Sequence, residues 1–307
     1  MEKFQDKHIG IIGAGRVGLT LAFLIVHMKE PAISLKAICS PALESRKRAK
    51  ELLGEKSSGV DFYDNNSDSL KKCNTLFICT PDDSIERVCK ELVKDNGKNI
   101  KGKLFIHFSG AKTLGVLDQA RNTGGITASL HPIKSFASVM DSIKTIPGTV
   151  WGVTYPEDFP QQEEEFLSFF IKKLKGRTIR VEDSKKSLYH AAACVSSNYL
   201  VSLINYAVGI HEKIGISAAD SLDGLMGLIE GTVDNIKKLG TKKSLTGPIA
   251  RGDTGTVEEH ILNFKKYLSQ SDLCFYKVMG LETSRLAFEN GWIDRKTHRR
   301  FLELFSG

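Results

Sequence analysis

The chain has 307 residues, which is enough for one large domain or two ordinary ones. Hydrophobic residues make up 41% and charged residues 26%. This composition is typical of globular proteins with hydrophobic cores, and we do not expect the chain to be disordered as a whole. The formal net charge is +7, but the basic residues are scattered among acids and their densest run is the short segment 45–50. This pattern favours anionic small molecules over nucleic acid as partners.

The six cysteines form no CxxC pair and have no Cys/His spacing typical of a metal site. We therefore expect reduced, buried thiols and no bound metal. No secretory signal precedes the first strand, and the apolar segment 19–28 is too short to span a bilayer. These features predict a soluble, cytoplasmic protein without a membrane partner.

The N-terminal segment "KHIGIIGAGRVG" predicts a buried strand, a glycine turn and the start of a helix. Gly13, Gly15 and Gly18 form GxGxxG in that setting, which is typical of dinucleotide binding. The first glycine permits the turn, the second lets backbone amides approach a pyrophosphate, and the third lets the helix pack on the strand. Arg16 and Val17, inside the turn, belong to the predicted cofactor site. The alternative is a glycine-rich turn that binds nothing.

The second predicted strand, 33–40, ends at Ser40, where an NAD enzyme usually carries an acid for the ribose hydroxyls. Arg46, Lys47 and Arg48 follow and can face a 2′-phosphate, so the sequence favours NADP over NAD, with Ser40 and Arg46 in the site. The alternative for the basic run is a solvated helix face.

Two more buried parallel strands are predicted within 75–82 and 103–111, each ending in small polar residues. Ligands of doubly wound sheets bind at the carboxyl ends of the strands. We expect these residues along the cofactor crevice: Thr80, Pro81, Asp82, Ser109 and Gly110.

The segment 129–137 places His131 before a proline, which predicts extended or turn geometry. His131 is a candidate acid, and Lys134 is a candidate to bind an anionic substrate. Two further strands, within 148–155 and 176–183, extend the sheet. The predicted fold is therefore α/β, with a doubly wound, mostly parallel Rossmann sheet in residues 1–183 and an all-helical domain in residues 184–307.

The segment 185–215 predicts a single, mostly buried helix that ends near Gly215. One broad apolar face is expected at Leu188, Ala192, Val195, Tyr199, Leu203 and Tyr206. A narrower polar stripe includes His190, Ser197 and Asn198, which need partners or a ligand if they are buried. We take His190 as the first candidate acid, with Ser197 and Asn198 orienting the substrate. The alternative is a core histidine bonded to neighbouring helices.

The loop 244–255 interrupts the helical half with glycines and a proline. Arg251 can offer a bidentate fork to a carboxylate or phosphate, and Asp253 can orient it. Thr256 and Glu259 are expected to form a capping box at the start of the next helix. The alternative is a capped surface loop with an ion pair.

The motifs "GIIGAGRVG", "HFSGA", "SLHPIKSFA", "YHAAACVSSNYLVSL" and "LTGPIARGD" together resemble the Rossmann-like family whose C-terminal part is the domain of unknown function 2520. This family is similar to the wider 6-phosphogluconate dehydrogenase-like superfamily, with its pyrroline-5-carboxylate, ketopantoate and deazaflavin-dependent NADP reductases. The resemblance implies a reductase of a small anionic keto acid or imine, with a helical domain that mediates a homodimer.

One departure concerns the proton donor. Classical ketopantoate reductases carry a catalytic lysine one turn before an asparagine of the long helix, whereas Cys194 stands four residues before Asn198 here. We therefore predict an NADP(H)-dependent oxidoreductase that uses another acid. The alternatives are a deazaflavin-dependent NADP reductase, which needs little acid–base help, and a non-catalytic NADP-binding sensor or scaffold.

Overall fold

The computed structural model describes residues 4–307, which divide into two compact units, up to Asn198 and from Tyr199 onwards. Because Lys186 and Tyr189 contact residues of the sheet, the first unit extends beyond the predicted boundary at Asp183. The strands of the first unit are β1 (Lys7–Ile12), β2 (Ile33–Cys39), β3 (Asp61–Tyr63), β4 (Thr75–Ile78), β5 (Leu104–His107), β6 (Ile126–Pro132), β7 (Val150–Thr154) and β8 (Arg177–Arg180). Its helices are α1 (Arg16–His27), α2 (Leu43–Leu53), α3 (Ile85–Asn96), α4 (Asp118–Asn122), α5 (Val139–Thr145), α6 (Gln161–Lys173) and α7 (Lys186–Ser196).

Within the described residues the strands form one sheet in the order β3-β2-β1-β4-β5-β6-β7-β8. All neighbouring pairs are parallel except β6 and β7. The order reverses between β1 and β4, which is the switch point where doubly wound sheets bind ligands. The predicted α/β class with a Rossmann-type sheet is therefore confirmed. The short β3 was missed by the sequence analysis because three residues carry no readable periodicity.

The central strands are buried on both faces, as parallel strands covered by helices must be. Along β4, Phe77 faces the larger core with α1 and α6, whereas Leu76 and Ile78 face a second core with α3. The continuous apolar runs that predicted these strands reflect this double coverage.

The second unit contains α8 (Asn198–Lys213), α9 (Ala218–Leu239), α10 (Thr254–Tyr267), α11 (Gln270–Glu289) and α12 (Arg295–Ser306). Its core gathers residues from α10, α11 and α12, including Phe264, Leu273 and Phe301. Gly280 is required there, because an added Cβ would meet the ring of Phe305.

The prediction of one helix over 185–215 is wrong, because the helix is interrupted at Ser197, whose φ and ψ are −121° and −67°. Ser196 donates a hydrogen bond from Oγ to the Ala193 carbonyl at 3.1 Å. Three consecutive residues that compete locally for backbone groups, 196–198, explain a break at this point.

The predicted burial of this segment is also wrong for the single chain. Leu188, Val195 and Tyr199 are 76%, 58% and 63% exposed, while Tyr206 does pack against the core of the second unit. By length and composition alone, 183–213 is apolar enough to cross a membrane, and no other helix among residues 4–307 is.

The expected capping box of Thr256 and Glu259 is wrong as well. Helix α10 begins two residues earlier, and Asp253 is its N-cap, accepting the Thr256 backbone N–H at 3.0 Å. An aspartate cap serves the same unpaired amides that a threonine would.

The six cysteines are free. Cys39, Cys73 and Cys89 are buried as expected, and burial raises the pKa of Cys39 to about 12. Cys274 is exposed, which contradicts the expectation of burial at that position.

A buried ion pair joins the start of the sheet to α6. Lys7 Nζ lies 2.6 Å from Glu163 Oε2, and both side chains are only 4% exposed. We expect Lys7→Met to lower the free energy of unfolding by about 3–5 kcal/mol, because it leaves a buried carboxylate without its counter-charge. Urea unfolding followed by circular dichroism measures this loss.

The matched control is Lys47→Met, which removes an exposed pair with Glu44 at 3.0 Å and should change stability by less than about 0.5 kcal/mol. Equal effects of the two substitutions would contradict the assigned role of the buried pair.

Candidate functional site

The turn after β1 needs glycine at its first and third motif positions for reasons internal to the protein. Gly13 has φ of +102°, and a Cβ there would lie 2.7 Å from the carbonyl oxygen of Cys79 on the neighbouring strand connection. A Cβ on Gly18 would collide with the Gly13 carbonyl. These two glycines allow α1 to start directly against the sheet.

Gly15 has no such internal reason. Its φ is −82° and ψ −170°, a conformation open to any residue, and a Cβ built on it meets no atom within 4 Å. The space beside Gly15 is instead part of a cavity at the N-terminus of α1. A glycine that faces open space at a helix N-terminus fits the close approach of a phosphate to backbone amides.

This glycine-turn cavity has a volume of about 560 Å³ and lies at the carboxyl ends of β1, β2 and β4. Of the predicted cofactor residues it is lined by Gly13, Gly15, Ser40, Thr80 and Pro81. Thr80 Oγ1 is buried and has no hydrogen-bond partner within residues 4–307. A buried hydroxyl in such a wall is suited to a polar ligand.

The other predicted cofactor residues do not line this cavity. Arg16 and Val17 follow Gly15, where Val17 packs against the core and Arg16 donates to the Phe136 carbonyl at 3.3 Å. Arg46 donates to the carbonyls of Ser40 and Pro41 at 2.5 and 3.0 Å. Its guanidinium is thereby turned back onto the β2–α2 connection.

Arg48 takes the place that the sequence analysis assigned to Arg46. It lines the cavity and donates from Nη2 to the Ala14 carbonyl at 3.2 Å. The cavity wall also carries Asp64 and Asn65 beyond β3, together with Asp95 on α3. Sequence reasoning missed Asp64 and Asn65 because they follow β3, the strand it did not find.

A second cavity, of about 370 Å³, lies beside the carboxyl end of β6. We call it the histidine cavity; its walls are His131, Ile133, Lys134, Ser135, His190, Ala193, Cys194, Ser196, Ser197 and Asn198. It therefore brings together the five predicted residues of segment 129–137, helix α7 and the break after it, namely His131, Lys134, His190, Ser197 and Asn198. Their roles in a reaction stay predictions.

The two residues after the end of β5 contact residues near each cavity. Ser109 Oγ donates a hydrogen bond to Asp82 Oδ2 at 2.6 Å, and Asp82 directly follows Thr80 and Pro81, which line the first cavity. Gly110 lies against two residues of the second cavity, because a Cβ on it would come within 2.7 Å of both His131 Nε2 and His190 Cδ2. Neither Ser109 nor Gly110 lines a cavity itself, and their place in the cofactor site stays a prediction.

Each of the two imidazole rings has one side-chain hydrogen-bonding neighbour. His131 Nδ1 lies 2.9 Å from the Tyr189 hydroxyl, and His190 Nδ1 lies 3.6 Å from Cys194 Sγ. Burial lowers the pKa of His131 to about 4, and the positive charges of Lys186 and His190 act in the same direction. His131 is therefore neutral near pH 7.

Lys186, at the start of α7, is a residue that sequence reasoning missed. Its side chain is buried, and Nζ donates to the Ser129 hydroxyl at 2.7 Å and to the Ser109 carbonyl at 3.1 Å. Burial lowers its pKa to about 8, partly opposed by Asp183 and Asp82. A search restricted to lysines one turn before Asn198 could not find it, and a lysine in a run of two reads as a solvated position.

Arg251 and Asp253 lie in the second unit, on the loop before α10. Arg251 is exposed. Asp253 is the N-cap of that helix, and its carboxylate accepts a hydrogen bond from the Thr256 hydroxyl. The nearby Thr256 donors lower the pKa of Asp253, with a smaller contribution from the charge of Arg251. The anion-binding role of this pair stays a prediction.

Within residues 4–307 no group of three or more His, Cys, Asp or Glu side chains is arranged to hold a metal ion.

Two family models match the chain. Residues 3–132 match a Rossmann-like domain, and residues 156–283 match a domain of unknown function, DUF2520. The chain therefore combines a Rossmann-like domain with the domain of unknown function 2520, and the predicted family resemblance is confirmed. No curated protein sequence matches the chain.

Several solved structures share the fold. A protein from Thermotoga maritima is 22% identical, with a TM-score of 0.68, covering 92% of this chain and 98% of that one. A pyrroline carboxylate reductase from Plasmodium falciparum, solved with NADP bound, is 15% identical, with a TM-score of 0.56 and coverages of 97% and 99%. An imine reductase from Aspergillus terreus is 15% identical, with a TM-score of 0.59 and coverages of 96% and 98%. At these identities the likeness establishes the fold.

The glycine turn supplies a test that separates folding from binding. We expect Gly15→Ala to keep the fold, with a stability loss below about 1 kcal/mol from the weaker cap, but to lose the thermal stabilisation produced by a dinucleotide. Differential scanning fluorimetry with and without NADPH measures both quantities.

Gly18→Ala is the matched comparison, because its Cβ collides with protein backbone and should lower the melting temperature even without ligand. Undiminished stabilisation of Gly15→Ala by NADPH would show that the cavity is not a dinucleotide site.

Proposed function

We propose that the protein is an NADP(H)-dependent oxidoreductase that reduces a C=O or C=N bond of a small, anionic substrate. The observation that carries this proposal is a pair of cavities at the carboxyl ends of the strands. One has the open space beside Gly15, and the other is lined by two histidines that lie against Gly110. The similarity to an NADP-bound reductase and an imine reductase supports the same reading.

The residues of the glycine-turn cavity fit a dinucleotide. The N-terminus of α1 offers backbone amides and the positive end of its dipole to a pyrophosphate beside Gly15. Thr80 and Pro81 line the wall on the β4 side, from which a nicotinamide would extend towards Ser109 and Gly110.

When bound, a reduced nicotinamide supplies a hydride to the substrate carbon, and the substrate oxygen or nitrogen takes up a proton. This chain must therefore provide hydrogen-bond donors where negative charge develops, and a source of that proton. His131 and His190 lie together at this end of the crevice, with ring centroids 5.9 Å apart. We assign the proton to His190, which lines the histidine cavity beside Cys194, and substrate orientation to Ser197 and Asn198.

An anionic substrate is favoured by the charges around the histidine cavity. Lys134 lines its wall, and Lys186 places a buried ammonium behind it. No carboxylate lines this cavity within the described part of the chain. We add Arg251 as the proposed clamp for the carboxylate or phosphate of the substrate, oriented by Asp253.

The cofactor preference depends on Arg48. Because Arg46 is held by backbone carbonyls, Arg48 is the guanidinium of this run that lines the cavity, and a 2′-phosphate is its natural partner. We expect Arg48→Leu to weaken NADPH binding about 10-fold or more while changing NADH binding little, since a charge-assisted contact contributes about 1.5–3 kcal/mol. Isothermal titration with both cofactors measures the ratio.

Lys47→Leu is the control, because Lys47 pairs with Glu44 on the exposed face of α2 and should leave both affinities unchanged. Equal weakening of NADPH and NADH binding by Arg48→Leu would contradict the assignment of NADP.

The catalytic proposal is tested by NADPH oxidation with ketopantoate, pyrroline-5-carboxylate and other small keto acids and imines. We expect turnover with at least one of them, and His190→Ala and Arg251→Ala should each lower kcat/KM, by about 10²-fold for a general acid. NADPH binding without oxidation across the whole panel would contradict the enzyme and favour a sensor. Turnover unchanged in both variants would contradict the assigned roles.

We further propose a soluble, cytoplasmic homodimer. The exposed apolar side chains of α7 and α8, including Leu188, Val195 and Tyr199, support burial against a second copy. His190 and Cys194 on the same helix line a polar cavity, which favours a protein over a lipid neighbour.

A further inference from the structure

Lys186 has an unusual environment for a lysine. Its side chain is 1% exposed, and its two hydrogen bonds go to uncharged oxygens, the Ser109 carbonyl and the Ser129 hydroxyl. A buried ammonium is costly without a direct counter-charge. Asp183 and Asp82 support it only through their charge at longer range.

Lys186 acts on the histidine cavity through His131. The groups that face this ring are Lys186, Tyr189 and His190 from α7, and His107 from β5. Burial and the two neighbouring positive charges oppose an imidazolium at this position, and the ring cannot relieve them through a carboxylate, because none is among these groups.

The tautomer of the neutral ring follows from Tyr189. Burial raises the pKa of Tyr189 to about 12, so the phenol keeps its hydrogen. The phenol hydrogen is then free to be donated to His131 Nδ1, which lies 2.9 Å away. His131 must therefore carry its own hydrogen on Nε2.

The Nε2 side of the ring lies against Gly110, where an added Cβ would come within 2.7 Å of Nε2. The same ring lines the histidine cavity, so its free nitrogen is within reach of a ligand there. A neutral imidazole fixed in this way is a hydrogen-bond donor that keeps its proton while charge develops on a nearby atom.

We propose that His131 is a catalytic residue that donates its neutral Nε2–H to the reacting oxygen or nitrogen of the substrate, and that Lys186, bonded to Ser129 on the same strand, is a positioning residue that keeps a positive charge near this ring. The proposal rests on the proposed function for the identity of the substrate atom. It assigns different duties to the two histidines, since His131 stabilises charge and His190 supplies the proton.

The state of the ring is tested by NMR of the ligand-free protein labelled with ¹⁵N-histidine, with His131 assigned through His131→Gln. At pH 7 we expect the ¹⁵N shifts of a neutral Nε2–H tautomer and no titration of this ring between pH 5.5 and 8, and the midpoint is found by extending the titration below pH 5.5. In Lys186→Met the titration midpoint should move upward by about one pH unit, because a like charge is removed while burial remains. An imidazolium or an Nδ1–H tautomer in the unsubstituted protein would overturn the proposal.

Lys185→Met is the matched control, since Lys185 is exposed and pairs with Glu182 at 2.8 Å. It should leave the His131 spectrum unchanged, and an unchanged midpoint in Lys186→Met would remove the assigned role of Lys186. If circular dichroism shows that Lys186→Met is unfolded, the tautomer of His131 is measured in Tyr189→Phe instead. Loss of the phenol donor should populate Nδ1–H, and an unchanged tautomer would overturn the argument.

Turnover provides a separate readout where a substrate has been found. His131→Gln should lower kcat by about 10²–10³-fold with little change in KM, as for the loss of one donor to a developing charge. The NMR outcomes do not depend on activity. If the protein shows no turnover, the proposed function is contradicted, but the state of the ring can still be measured. If the protein shows turnover and His131 is an imidazolium or carries its hydrogen on Nδ1, only the role of His131 is contradicted.

Discussion

The ammonium of Lys186 ties the first helix beyond the sheet to the carboxyl ends of β5 and β6. Two hydrogen bonds from one buried atom hold the Ser109 carbonyl and the Ser129 hydroxyl together. From each of these residues the chain continues to a residue at the histidine cavity. Gly110 follows Ser109, and His131 follows Ser129 by two residues on the same strand. The geometry of the histidine cavity therefore depends on the position of the Lys186 ammonium.

The same charge determines the chemistry that the cavity can perform. An imidazolium beside a buried ammonium is unfavourable, so His131 is restricted to the neutral form and to hydrogen-bond donation. His190 lines the same cavity and lies beside Cys194. The two histidines, whose ring centroids are 5.9 Å apart, can thus take different parts in one reaction, because their hydrogen-bond partners differ.

The two cavities also illustrate how glycine positions differ in meaning. Gly13 and Gly18 are required by the protein itself, since a side chain at either would meet backbone. Gly15 and Gly110 border space that a ligand can use, although Gly110 also lies against the histidine rings. A pattern of glycines predicts a turn. Only the neighbouring atoms show which glycine is required by the protein and which one leaves space for a ligand.

The sequence by itself determined most of the sheet-forming strands, the glycine turn at the switch point and the helical second half, because these follow from local periodicity and from residues with restricted backbone preferences. It also indicated His131 and His190 through their places at a strand end and on a polar stripe. Only the tertiary structure decided that Arg48 and not Arg46 lines the cavity, and that Lys186 is buried against Ser109 and Ser129. These outcomes depend on contacts between segments far apart in the chain, such as the 77 residues that separate Lys186 from Ser109, and no local pattern encodes such contacts.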